Sequence, residues 1–180
     1  MAAIPFVLVL FVVSYSYTAG AGAAVFTITN WCPDMVYPAS SKDVLGLGFG
    51  LPSGDTMHTG ASAGSSGKIW GRTGCTLDAH GNGTCETGDC AGQQVCNVPG
   101  KPPATVAEFT LGDTVDYYDL SLADGFNIPI SFGCDDAPGA LVCMDPGCSD
   151  AKHRPDDSKV HTCPANSSYH VVFCPAASML

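Results

Sequence analysis

Apolar and polar residues alternate along Val25-Phe-Thr-Ile-Thr-Asn30, with two β-branched threonines, and predict a strand. Met35-Val-Tyr-Pro follows the Cys32-Pro33-Asp34 turn and predicts a second, shorter one. Lys68-Ile-Trp-Gly-Arg-Thr, Thr105-Val-Ala-Glu-Phe-Thr-Leu and Val115-Asp-Tyr-Tyr-Asp-Leu-Ser-Leu predict three more. Ile128-Pro-Ile-Ser-Phe continues extended, with Pro129 favouring a sheet edge because it lacks a backbone N–H. Tyr169-His-Val-Val-Phe predicts the last strand, ending at Cys174.

Between these runs the pattern weakens. From Ser40 to Ser66 the periodicity fades, and Leu45-Gly-Leu-Gly-Phe-Gly reads as a glycine-rich hairpin. It is not a phosphate loop, because no helical pattern follows it. Gly60 to Gly67 is small and polar and reads as a loop. Asp78-Ala-His-Gly-Asn-Gly, between Cys75 and Cys85, reads as a hairpin tip. Asp135 to Thr162 has charges, prolines and cysteines but no sustained period, and reads as a disulfide-pinned loop. No long amphipathic helix occurs. Short strands separated by turn chemistry point to an all-β sandwich.

Composition narrows the setting. Ile4 to Val13 is almost wholly apolar and Ala21-Gly22-Ala23 is a small-x-small site, which predicts a signal peptide over residues 1–23 and one domain over 24–180. All ten cysteines follow the expected cut, and ten cysteines in an exported chain imply five disulfides. Spacing alone leaves their connectivity open. There is no C-x-x-C and the five histidines are scattered, so no metal or other cofactor is expected. The net charge of −10 argues against nucleic acid and anionic membranes and fits a neutral polysaccharide, a basic partner, or solubility alone.

The run Gly81-x-Gly83-x-Cys85-x-Thr87-Gly88-Asp89-Cys90-x-Gly92-x-x-x-Cys96 resembles the thaumatin-family signature at every fixed position. Further blocks resemble the same family: Phe26-x-Ile28-x-Asn30-x-Cys32, Ile69-Trp70-x-Arg72-Thr73-x-Cys75, Pro102-Pro103-x-Thr105-x-Ala107-Glu108-Phe109, Asp124-Gly125-Phe126-Asn127-x-Pro129 and Val172-Phe173-Cys174-Pro175. The resemblance implies a disulfide-stapled, flattened β-sandwich. Ten cysteines instead of the usual sixteen, with little chain between Cys148 and Cys163, are similar to the small cereal members that lack the second disulfide-rich domain. It further implies the pairs Cys32–Cys174, Cys75–Cys85, Cys90–Cys96, Cys134–Cys163 and Cys143–Cys148. One departure stands out: the family places a strand ahead of the Trp-x-Arg-Thr block, and Gly60 to Lys68 is too short and glycine-rich to supply it.

The family's acidic cleft carries one arginine, one glutamate and three aspartates. By resemblance Arg72, Glu108, Asp119 and Asp124 take four of those positions, and the fifth has no counterpart. Paired carboxylates can hydrolyse a glycosidic bond if their separation suits. With one wall of the cleft missing, ligand binding or a structural ion pair of Arg72 with an acid is the favoured expectation, and no enzyme activity is expected. Tyr117 and Tyr118 lie beside the acids, and Trp31 and Tyr37 elsewhere; such rings stack on sugars but more commonly fill a sandwich core. His58, in a segment read as an exposed loop, is a candidate for entering an enzyme's acidic cleft, because small cereal relatives include xylanase inhibitors with a histidine in this region. Asn82 and Asn166 head glycosylation sequons. The resemblance thus implies a secreted, monomeric, apoplastic defence protein that binds fungal cell-wall β-glucan, with inhibition of a microbial glycoside hydrolase (a xylanase) or weak β-1,3-glucanase activity as alternatives.

Overall fold

The computed structural model describes residues 23–41, 44 and 46–176; the expected signal segment lies outside these except for its last residue, Ala23. In chain order the strands are β1 (Ala23–Asn30), β2 (Tyr37–Ser40), β3 (Thr56–Ser62), β4 (Ser66–Arg72), β5 (Thr76–Leu77), β6 (Gly83–Thr84), β7 (Val106–Thr110), β8 (Val115–Ser121), β9 (Ile130–Cys134), β10 (Leu141–Cys143), β11 (Ala151–Lys152), β12 (His161–Pro164) and β13 (Tyr169–Phe173). No helix occurs among the described residues. One sheet runs β10-β9-β13-β1-β3. A second runs β11-β8-β7-β4-β2, with β12 also paired to β8, and β5-β6 form a separate hairpin.

The period-2 pattern decides what each strand buries. In β1, Phe26 and Ile28 point inward while Val25 and Thr27 face out. The two large sheets meet through Phe26 and Phe109, whose rings lie 4.7 Å apart, and through Tyr118 and Phe132 at 5.3 Å. Fully buried Ile69, Leu120, Ile130, Val171 and Phe173 complete this layer. A smaller cluster, with Trp70 and Val106 beneath the Cys90–Cys96 loop, sits on the far side of the second sheet.

All five disulfides join the pairs the resemblance implies. Cys32–Cys174 spans 142 residues, just beyond the parallel pairing of β1 with β13, where Asn30 stands opposite Phe173. Asn30 is fully buried and fixes the chain there. Its amide donates to the carbonyls of Asp34 and Leu51, at 2.9 and 2.8 Å, and its Oδ1 accepts from the Cys32 N–H at 2.9 Å.

Four sequence expectations need correction. Gly60 to Gly67 is not a loop: it holds the end of β3 and the start of β4, so the strand expected to be lost is present. At Gly67 the small residue is required by what it meets. A Cβ on Gly67 would stand 2.4 Å from Cζ of the buried Phe109 ring, so only glycine lets that ring lie across the strand. The 45–50 segment is not a hairpin: its described residues form no ladder, and Gly48 at φ 131° breaks the extended course. Pro129 does not mark an edge, because it precedes β9, which lies between β10 and β13. Asp135 to Thr162 includes β10, β11 and the start of β12, strands too short to leave a periodic signal.

Gly67→Ala is therefore expected to destabilise the protein by about 1–3 kcal/mol, the range for overpacking a well-filled core. Urea unfolding of the oxidised protein measures this, and an unchanged midpoint would show that the Phe109 ring can move aside.

Candidate functional site

The outward faces of β4, β7 and β8 carry three cross-strand rows. Ser66 lies opposite Thr110, which lies opposite Tyr117. Lys68 stands opposite Glu108, and Glu108 opposite Asp119. Trp70 pairs with Val106, and Val106 with Ser121. The Asn97–Gly100 segment and Asp124 flank one end, and Tyr117 and Val160 the other, of an open groove of about 910 Å³ over these rows. Along β7 the groove runs from Val106 to Thr110, about 13 Å at ~3.3 Å per strand residue, and it continues past the strand to Ala104.

The middle row sets two adjacent acids between two lysines, so that each acid has an ammonium partner. Lys68 Nζ lies 2.6 Å from Glu108 Oε1. Lys152, brought in by β11, places its Nζ 2.7 Å from Asp119 Oδ2 and 3.9 Å from Glu108 Oε2. Asp119 is 5% exposed, and its Oδ1 has no hydrogen-bond partner among the described residues. Burial pushes the Asp119 carboxyl above the usual range; hydrogen bonding and charge from Lys152 act against this, and Glu108 adds to it. Asp124 also lines the groove, and its carboxylate has no ion pair or hydrogen bond among the described residues.

Glu108, Asp119 and Asp124 are thus brought together, but Arg72 is not. Arg72 has no exposed surface and lies outside the groove. Its guanidinium donates to the carbonyls of Gln93, Gln94, Gly48 and Tyr37, at 2.7, 2.9, 3.0 and 3.4 Å. Burial lowers its pKa, and Asp89 acts in the opposite sense. The expected pairing with an acid gives way to carbonyls because the start of β2 and the segments around Gly48 and Gln93–Gln94 converge on the head group. Arg72 is a structural hub.

His58 is exposed, as expected, but stands on strand β3 and not on a loop. Its Nδ1 is 3.2 Å from Thr27 Oγ1. Tyr117 is exposed and lines the groove, Tyr118 is core, Trp31 is exposed away from the groove and Tyr37 is half-buried. Asn82 lies exposed at the β5–β6 hairpin tip and Asn166 in the turn after β12. Sequence reasoning missed Lys68, Lys152 and Trp70. The alternation Ser66-x-Lys68-x-Trp70 in register with Glu108 could have found two of them, whereas nothing in the aperiodic 135–162 stretch signals Lys152.

Each acid of the row is already engaged by an ammonium group. Glycoside hydrolysis places the scissile oxygen between two carboxyl groups about 5–9.5 Å apart. Here the Lys152 ammonium lies within reach of both carboxylates. Because burial outweighs Lys152, the folded Asp119 carboxyl titrates above its unfolded value. That contribution stabilises the fold below the ordinary carboxyl range, near about 4, and is lost as pH rises through the raised value. Asp119→Asn is expected to raise the thermal midpoint at pH 7, with the gain gone by pH 3. A variant that melts lower than the parent at pH 7 would show that the Lys152 pair dominates.

Comparison with known proteins agrees with this architecture. Residues 30–154 match the thaumatin family. A thaumatin-like protein of Oryza sativa subsp. japonica is 47% identical over 171 residues, covering 94% of this chain and 95% of the relative. Thaumatin-like pathogenesis-related protein 4 of Avena sativa is 47% identical over 168 residues, covering 93% and 96%. Among solved structures, a thaumatin-like xylanase inhibitor superposes with a TM-score of 0.69 at 34% identity, covering 83% of this chain and 99% of the inhibitor. With its fold, its five disulfides and its motifs in agreement, the chain belongs to the thaumatin family and is similar to its cereal pathogenesis-related members.

Proposed function

We propose that this protein is a secreted, non-catalytic defence protein of the plant apoplast that binds a neutral β-glucan chain of the fungal wall along the β4–β7–β8 groove. The observation that carries the reading is the neutralised row Lys68–Glu108–Asp119–Lys152 in an elongated open groove. A polyol needs fixed donors and acceptors rather than net charge. The row supplies both, Asp124 adds an unpaired acceptor, and Tyr117, 49% exposed, offers a ring face. Five disulfides fit an oxidising, secretory setting. The protein acts as a monomer in this reading, and glycans at Asn82 and Asn166 would lie at exposed turns outside the residues that line the groove.

Co-sedimentation with insoluble β-1,3-glucan tests the proposal. The protein is expected in the pellet, and Tyr117→Ala is expected to weaken retention about tenfold, equivalent to about 1.4 kcal/mol. Release of reducing sugar is expected to stay at background for the parent and for Glu108→Gln. Retention unaffected by Tyr117→Ala, or sugar release abolished by Glu108→Gln, would contradict the reading.

A second reading, inhibition of a microbial xylanase, is favoured by the likeness to a xylanase inhibitor and by the exposed His58 at the edge of its sheet. His58 lies in a strand and would have to meet an enzyme from a flat face. Inhibition of a fungal xylanase that is lost in His58→Ala would support this second reading; no inhibition by the fully oxidised protein would remove it.

A further inference from the structure

A second concavity, of about 580 Å³, opens between the segment that follows β1 and the cysteine-rich hairpin, and none of its lining residues lines the groove. The disulfides Cys32–Cys174 and Cys75–Cys85 contribute to its walls, with Val36 and Ile128 between them. Asp34 and Glu86 are its only charged lining residues; both are exposed, and neither carboxylate has an ion pair or hydrogen bond among the described residues. Met35, 45% exposed, and Tyr37 form one rim.

The rim continues into an apolar surface. Gly50 packs against the Met35 sulfur and the Tyr37 ring with no room for a Cβ, and Gly48 lies against the Gln94 carbonyl and Val95. Phe49, between these glycines, is 60% exposed and Val95 is 55% exposed. Gly48 and Gly50 therefore bring the segments that carry Phe49 and Val95 up to the one that carries Met35, and the buried Arg72 ties all three segments through the carbonyls of Tyr37, Gly48, Gln93 and Gln94. Disulfides and this hub hold the surface in one arrangement, so a partner would meet it with little reorganisation. Exposed apolar side chains clustered beside a cleft mark interaction sites more often than ordinary surface.

The charges select the occupant. A second copy of this chain would bring a further net charge of −10, and neither residues 1–22 nor residues 177–180 contain a lysine or arginine. We infer that this cleft docks a loop of a partner protein that carries an arginine or lysine next to an apolar side chain. The cationic head group lies between Asp34 and Glu86, its methylene stem lies along Met35 and Ile128, and the neighbouring apolar residue covers Phe49. This is an interaction surface separate from the glucan groove and independent of that reading.

The test uses the oxidised protein and two peptides, acetyl-Gly-Phe-Arg-Gly-amide and the same peptide with glutamate in place of arginine, in ¹H–¹⁵N titrations. The arginine peptide is expected to shift Asp34 to Tyr37, Thr73 to Cys75 and Glu86, more weakly as salt is raised. The glutamate peptide is expected to leave these signals in place. Asp34→Asn/Glu86→Gln should weaken the arginine peptide by at least about threefold while co-sedimentation with glucan stays unchanged. These side chains are exposed, and the spectrum of the variant reports its fold directly. Equal binding of both peptides, no shift at this cleft, or shifts confined to the groove would each overturn the inference.

Discussion

The parallel pairing of the first and last strands, β1 with β13, is the constraint on which the rest of the structure depends. No local turn can join parallel neighbours, so the chain must build everything else before its ends meet. Cys32–Cys174 locks that meeting across 142 residues. On loop-closure entropy alone, such a link stabilises the fold by about 5 kcal/mol. Next to it, Asn30 uses a buried amide to tie the turn after β1 to the segment around Leu51. Phe26 and Tyr169, opposite each other in this pair and stacked at 5.0 Å, then supply the surface against which Phe109 of the second sheet packs.

With one face of the second sheet committed to that core, its outer face is free to carry chemistry. Alternation along β4, β7 and β8 decides which residues appear there, and register decides which of them meet. The result is a row of two lysines and two acids in which each acid has an ammonium partner. Arg72 sits in the same sheet, at the last position of β4, yet serves a different purpose. It takes carbonyls from β2 and two loops and so fixes the cysteine-rich corner. The same sheet holds a rigid corner by one buried cation and pairs the two acids of its outer row with two others.

Much of this was legible in the residues. Alternation at Val25–Asn30 and Val115–Leu122 located β1 and β8, and the motif around Cys85, Cys90 and Cys96 led to the correct disulfide pairs. The misses have physical causes. Residues 60–67 looked like a loop because a strand that must admit the Phe109 ring uses glycine, which carries no polarity to alternate. The strands within 135–162 are two to four residues long, below the length at which any period can be read. Arg72 was assigned to the cleft by resemblance, and sequence gives no sign that three chain segments would turn their carbonyls toward it. Of the expected cleft, the three acids share the groove, while the lysines that neutralise them were found only in space.

In the proposed function the β4–β7–β8 face holds a neutral glucan chain without cleaving it. Its most direct test is a ¹H–¹⁵N titration of the oxidised protein with a β-1,3-linked glucose hexamer, followed for hours. Saturable shifts are expected at Ser66–Trp70, Val106–Thr110 and Tyr117–Ser121, with the hexamer intact at the end. Shifts elsewhere, no shifts at all, or shorter sugars accumulating in the tube would contradict it.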